Sequence, residues 1–197
     1  MSFKDINVNW LDEVIFPAID SFYNEPKDKD LIQRNASERT IVANIYCKAN
    51  SYLHQKQNTN QELDNLGIDL EYNRNYADPK KAYEKCSLCQ KNNCLIKLES
   101  LHCEKINPDF IIHQRGTNVD NQVVIEFKKT SNKDKIERLA DKTKLIYLTC
   151  QQPFPLHEEE NYQYHIGFFI DLDIERYSVT TYQDADYDDP RFRHGGK

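Results

Sequence analysis

The residues best suited to do chemistry are two carboxylates and a lysine: Asp109, Glu126 and Lys128. Glu126 and Lys128 lie two apart in the run QVVIEFKK (122–129), so on a strand they leave the same face. Val123, Ile125 and Phe127 then point the other way, toward apolar surroundings. A Glu and a Lys side by side on so apolar a strand must be paired or hold an ion, because burying either charge alone is costly. Asp109 opens the preceding run DFIIHQR (109–115), and the connecting segment is rich in turn residues. A hairpin is the natural reading, and it would bring Asp109 near Glu126. Facing carboxylates suit a hard cation such as Mg²⁺ or Mn²⁺. A metal there could polarise a phosphodiester, while Lys128 orients water or steadies developing charge.

Other elements must position these groups. Residues 35–54 form a helix by the spacing of Ile41, Val42, Ile45, Ala49 and Leu53, with Asn35 or Ser37 as the cap. At 100° per residue, Ile41, Ile45, Ala49 and Tyr52 lie within about 60° of Glu38. Glu38 therefore sits in an apolar stripe. It either faces the carboxylate site or closes a capping box with Asn35. Residues 68–74 read as a strand, 132–145 as a helix with Ile136, Leu139 and Ala140 on one face, and 164–172 as a last strand. An N-terminal stretch, 9–22, has helical spacing interrupted by Pro17. The order helix, strand, strand, strand, helix, strand predicts an α/β fold with a mixed central sheet flanked by helices.

Pro108-Asp109 followed by Glu126-Phe127-Lys128 resembles the signature of the PD-(D/E)XK nuclease superfamily, which includes many restriction endonucleases and junction resolvases. The resemblance implies a restriction-endonuclease-like αβββαβ core. It makes Asp109 and Glu126 metal ligands, the Phe127 carbonyl a further ligand and Lys128 the catalytic lysine, with Glu38 added from the first helix. The implied reaction is divalent-metal-dependent hydrolysis of phosphodiester bonds by water, with DNA favoured over RNA. Glu71–Arg74, Lys80-Lys81 and His113–Arg115 are similar to a pattern in small uncharacterised bacterial members of this superfamily. Nucleic-acid contacts are accordingly expected at Arg74, Lys81, His113, Arg115, Lys129 and Lys142. On this reading residues 1–30 are a helical extension, 31–172 the core, and 173–197 an acidic C-terminal tail.

Residues 82–105 break the pattern. Cys86-x2-Cys89-x4-Cys94-x8-Cys103 places four thiols in a polar, Lys-rich insertion. The first pair has the usual spacing for tetrahedral Zn²⁺, and four protein ligands would make a closed structural site. His102 could replace Cys103. Cys47 and Cys150 read as ordinary buried residues.

Composition limits the alternatives. The chain has 197 residues, 29% of them charged, and a net charge of −6, which argues against a binder working by bulk positive charge. Bound cations would offset that charge at a carboxylate site. No apolar run approaches a membrane span, and the start MSFKDINVNW lacks the basic and apolar parts of a secretory signal. The expected location is the cytoplasm, where six Cys favour metal or core roles over disulfides. The small size suggests a homo-oligomer or a protein partner. The rival readings are a nuclease fold that binds or regulates without turnover, and a zinc-stabilised interaction module built on residues 86–103.

Overall fold

A computed structural model describes residues 8–70, 107–116, 121–151, 163–184 and 186–194. Its helices are α1 (Phe16–Asn24), entered through a π-helical turn at Leu11–Ile15, α2 (Pro26–Gln33), α3 (Glu38–Gln57) and α4 (Lys135–Thr149). The strands are β1 (Leu66–Leu70), β2 (Phe110–Gln114), β3 (Asn121–Lys129), β4 (Ile166–Leu172), β5 (Arg176–Gln183), β6 (Asp186–Tyr187) and β7 (Arg191–His194). They form one mixed sheet in the order β1-β2-β3-β4-β5-β6, with β7 also on β5. Among the described strands only β3 and β4 run parallel, joined through α4; the other described pairs are antiparallel. This is the α/β class that the sequence implies.

Alternation along the strands separates two cores. On one side Ile68, Phe110, Ile112, Val123, Ile125 and Phe127 pack under α1 and α3. On the other, Ile111, Val124 and Phe169 pack against Leu145 and Leu148 of α4. Glu126 and Lys128 share the α4 side with Val124, as a period of two requires. The apolar face of α4 lies in its last two turns. Ile136 and Leu139, which the spacing puts on one face, are exposed, Ile136 at 82%. The first turns of this helix bury charge, not hydrocarbon.

Among the described residues, both terminal segments belong to the body of the fold. Trp10, Val14, Ile15, Ile19 and Phe22 are buried in the α3-side core. Pro17 sits in the first turn of α1, directly after the π-helical turn, so the helical run continues past it with a change of type. The segment 173–197, expected as an acidic tail, holds β5, β6 and β7 among its described residues. Tyr177 and Val179 of β5 are buried against the N-terminal helices. The Tyr23 hydroxyl donates to the Asp173 carbonyl at 2.6 Å, and that of Tyr177 to Asp20 at 2.8 Å. The acidic residues 184–189 dominate the composition there and conceal the alternation just before them. Cys150 is buried as expected, but Cys47 is exposed on α3.

Gly167 sets how closely α4 approaches the sheet. A Cβ on Gly167 would lie 2.9 Å from Thr149 Cγ2 and 3.4 Å from both Leu145 Cδ2 and Tyr182 Cβ. Gly167→Ala must push α4 off β4, and overpacking of this kind costs about 1–3 kcal/mol. Urea unfolding should show the midpoint lowered with the slope unchanged; a midpoint equal to wild type contradicts so tight a helix–sheet contact.

Candidate active site

The register brings the predicted residues together. Phe110 pairs with Ile125 and Ile111 with Val124, so Asp109, one step before β2, falls opposite Glu126. Its carboxylate accepts the Phe127 N–H at 2.6 Å, which fixes the acid against β3. Glu126 is 2% exposed and Lys128 is 5% exposed. Ser37 caps α3, accepting the Thr40 N–H at 3.2 Å. Glu38 then enters the first turn with its carboxylate free to face the sheet. It accepts from Lys128 Nζ at 3.0 Å and from the Lys129 N–H at 3.1 Å. Asn35, the alternative partner in a capping box, has φ of 54° and accepts from Lys129 Nζ.

Helix α4 adds three residues that apolar periodicity does not mark. Lys128 Nζ lies 2.9 Å from both Glu137 and Asp141. Lys144 Nζ lies 2.9 Å from Glu126 Oε1 and 2.6 Å from Asp141 Oδ1. Glu137, Asp141 and Lys144 are four and three residues apart, one face of a helix. That charged i, i+4, i+7 stripe is the signal in the sequence that could have found them. Lys144 thus belongs to the acidic cluster itself.

Five carboxylates (Glu38, Asp109, Glu126, Glu137, Asp141) face two ammonium groups, a formal excess of three negative charges when every acid is ionised. Burial, reinforced by Glu38, raises Asp109 to about 6 despite the Phe127 N–H and the two lysines. Burial and the facing Asp109 push Glu126 well above the usual carboxylate range. Burial alone would lower Lys128, but its bonds to Asp141, Glu137 and Glu38 hold it above its ordinary value. The balance also leaves unused acceptors: Glu126 Oε1 and Asp141 Oδ2 are buried and lack a well-angled hydrogen bond. Each meets a lysine only as an ion pair.

Among the described residues, no three carboxylate, His or Cys groups converge on one point that would enclose an ion. Lys128 and Lys144 bridge the acids instead. The donor chemistry fits a hard divalent cation: every donor is oxygen, the set is net negative, and two buried acceptors have capacity to spare. A pocket of about 420 Å³ lined by Glu38, Arg39, Val42, Ala43, Leu70 and Asp109 opens beside the cluster.

The other expected contacts are placed differently. His113 Nε2 is 2.9 Å from Asp69 Oδ2, and Arg115 Nε donates to the same oxygen at 2.8 Å. These bonds outweigh the effect of burial and hold Asp69 at about 2. Asp69, opposite Ile111, and His113 brace β1 to β2 two and four residues along from Asp109. Lys129 Nζ ties β3 to the α2–α3 loop by donating to Asn35 and the Ala36 carbonyl, both at 2.8 Å. Lys142 lies over the Phe169 ring, 5.0 Å from its centre. Arg74, Lys81, Cys86, Cys89, Cys94, His102 and Cys103 lie outside the described residues.

The raised acids make stability depend on pH. The native state of metal-free protein holds the Asp109 proton to about pH 6, whereas the unfolded chain releases it near 4. The stabilisation is therefore full below pH 4 and is lost as pH rises through 6, a change of about 3 kcal/mol. Melting temperature in chelator should fall between pH 4 and 7, and Asp109→Asn should flatten that slope. Equal slopes in the two proteins contradict a buried, crowded Asp109.

No family model matches the chain, and neither the curated proteins nor the solved structures contain a match. No helix among the described residues is long and apolar enough to cross a membrane.

Proposed function

We propose that this chain is a divalent-metal-dependent nuclease of the PD-(D/E)XK kind, acting on DNA in preference to RNA. One observation carries the reading: Asp109 and Glu126 oppose each other across a strand pair, with Lys128 beside them and Glu38 arriving from α3. Asp109, Glu126 and the Phe127 carbonyl would hold Mg²⁺ or Mn²⁺. The metal supplies charge for the phosphate oxygens and acidifies water. Glu38 holds Lys128 in place, and the Lys128 ammonium steadies negative charge that develops on the scissile phosphate. Asp141 and Lys144 are positioning residues: they neutralise and orient Lys128 and Glu126. Cys86, Cys89, Cys94 and Cys103 are proposed as structural zinc ligands, a point that metal analysis of purified protein decides.

A second reading has one observation in its favour. Two lysines bridge the acids, as in a protein that keeps the fold and binds without turnover. Incubation with plasmid, single-stranded DNA and RNA in Mg²⁺ or Mn²⁺ separates the two. The nuclease reading expects cleavage that chelator abolishes; intact substrates in every arm favour binding alone.

A further inference from the structure

On its other flank, α4 faces a groove of about 470 Å³, walled by β4, β5 and the Pro190–Phe192 segment. Lys133, Lys135, Arg138, Lys142 and Arg176 line it, against two acids, Asp171 and Asp173. A net positive lining is unexpected in a chain with a net charge of −6. Lys133, Lys135 and Lys142 have no carboxylate within ion-pair distance among the described residues. Arg138 donates to Asp171, but its buried Nη1 finds no acceptor among the described residues. An unpaired buried donor is costly, and an incoming anion near it would offset that cost.

The groove also offers a flat apolar face. Phe192, on β7, is 69% exposed at the rim. Spaced cations beside an exposed aromatic ring form the pattern that holds an unpaired strand, through phosphate contacts and base stacking together. Position agrees. Asp171 on the groove floor pairs with Lys128 across β3 and β4, a backbone separation of about 5 Å. The groove-facing and site-facing stripes of α4 are offset by about 120° around the helix. A strand in the groove would therefore run alongside the acidic cluster, not across it.

We propose that this groove binds the sugar-phosphate backbone of single-stranded nucleic acid, with Lys133, Lys135 and Lys142 on successive phosphates and Phe192 stacked on a base. The assignment rests on the nuclease reading for its substrate class, and it is tested without turnover. The probe is a fluorescently labelled 12-nucleotide oligo-dT, its anisotropy followed in chelator over a range of salt. Replacing Lys133, Lys135 and Lys142 together by Gln should weaken binding about tenfold or more. It should also flatten the log–log salt dependence by about 2, the release expected for three phosphate contacts. The triple Lys→Arg protein should bind like wild type. Phe192→Ala should cost about fivefold or more.

Binding unchanged in the triple Gln variant, or a duplex of the same length preferred with no effect of Phe192→Ala, overturns the proposal. A protein that binds through these lysines yet never cleaves contradicts only the nuclease reading. One that cleaves with an affinity indifferent to them contradicts only the groove.

Discussion

Lys128→Met should lose about 3 kcal/mol of stability in metal-free protein and at least 10²-fold in hydrolysis. Lys128 is the hub of the cluster: Glu38 of α3 and Glu137 and Asp141 of α4 all reach its ammonium at 2.9–3.0 Å. Asp141 is buried beside it at 5% exposure, so removing the cation strands a buried carboxylate with Lys144 as its remaining partner. Breaking a buried pair by deleting one member costs about 3–5 kcal/mol. Glu137 is half-exposed and contributes little to that figure. Methionine fills the space of the lysine stem, so the loss reports charge and not a cavity. On the proposed nuclease function, the catalytic loss follows from removing a fixed cation beside the reacting phosphate, a change of the size seen when an anion-stabilising donor is deleted. Chemical denaturation and an initial-rate assay on the same preparation read the two effects. A variant as stable as wild type contradicts the hub geometry.

Glu126→Gln should separate activity from stability. On the proposed function hydrolysis should fall about 10²-fold or more, because a carboxylate proposed to hold the metal becomes a neutral amide. Stability at pH 8 should be unchanged or higher. Glu126 is fully buried, faces Asp109, and has its pKa pushed well up, so ionising it there works against folding. Glutamine removes that repulsion while keeping shape, and its Nε2 can donate toward Asp109 on the opposite strand. Lys144 keeps Asp141 as its partner. Melting at pH 8 in chelator, set beside the rate assay, checks both halves. A large drop in melting temperature with Glu126→Gln would mean that the carboxylate is there for structure.

Much of the site was legible because strand periodicity is simple. Two residues apart on VVIEFK is enough to put Glu126 and Lys128 on one face, and a short turn is enough to fold Asp109 back. Glu38 stood out as a charge in an apolar stripe. The register, with Asp109 opposite Glu126, needed the hairpin itself, including its irregularity between Ile112 and His113. In helix α4 the apolar stripe of Ile136 and Leu139 does not mark the buried face. Its first turns bury Asp141 and turn Ile136 outward, since the neighbouring sheet surface there carries Lys128 and Glu126. A charged surface selects a charged helix face. Strand β5 was hidden for a different reason: RYSVTTYQ alternates, but the acidic run after it outweighs it in composition. His113 and Arg115 share a face with Asp109, yet their partner, Asp69, lies on a strand whose pairing the sequence does not specify.

The most direct test of the central claim is metal-dependent cleavage by the purified chain beside its Glu126→Gln and Lys128→Ala forms. Plasmid, single-stranded DNA and RNA are each incubated with Mg²⁺ or Mn²⁺ and with chelator. The account predicts cleavage by wild type that requires the metal, prefers DNA, and is lost in both variants. Cleavage that is the same in all three proteins, or absent in wild type on every substrate, would contradict it.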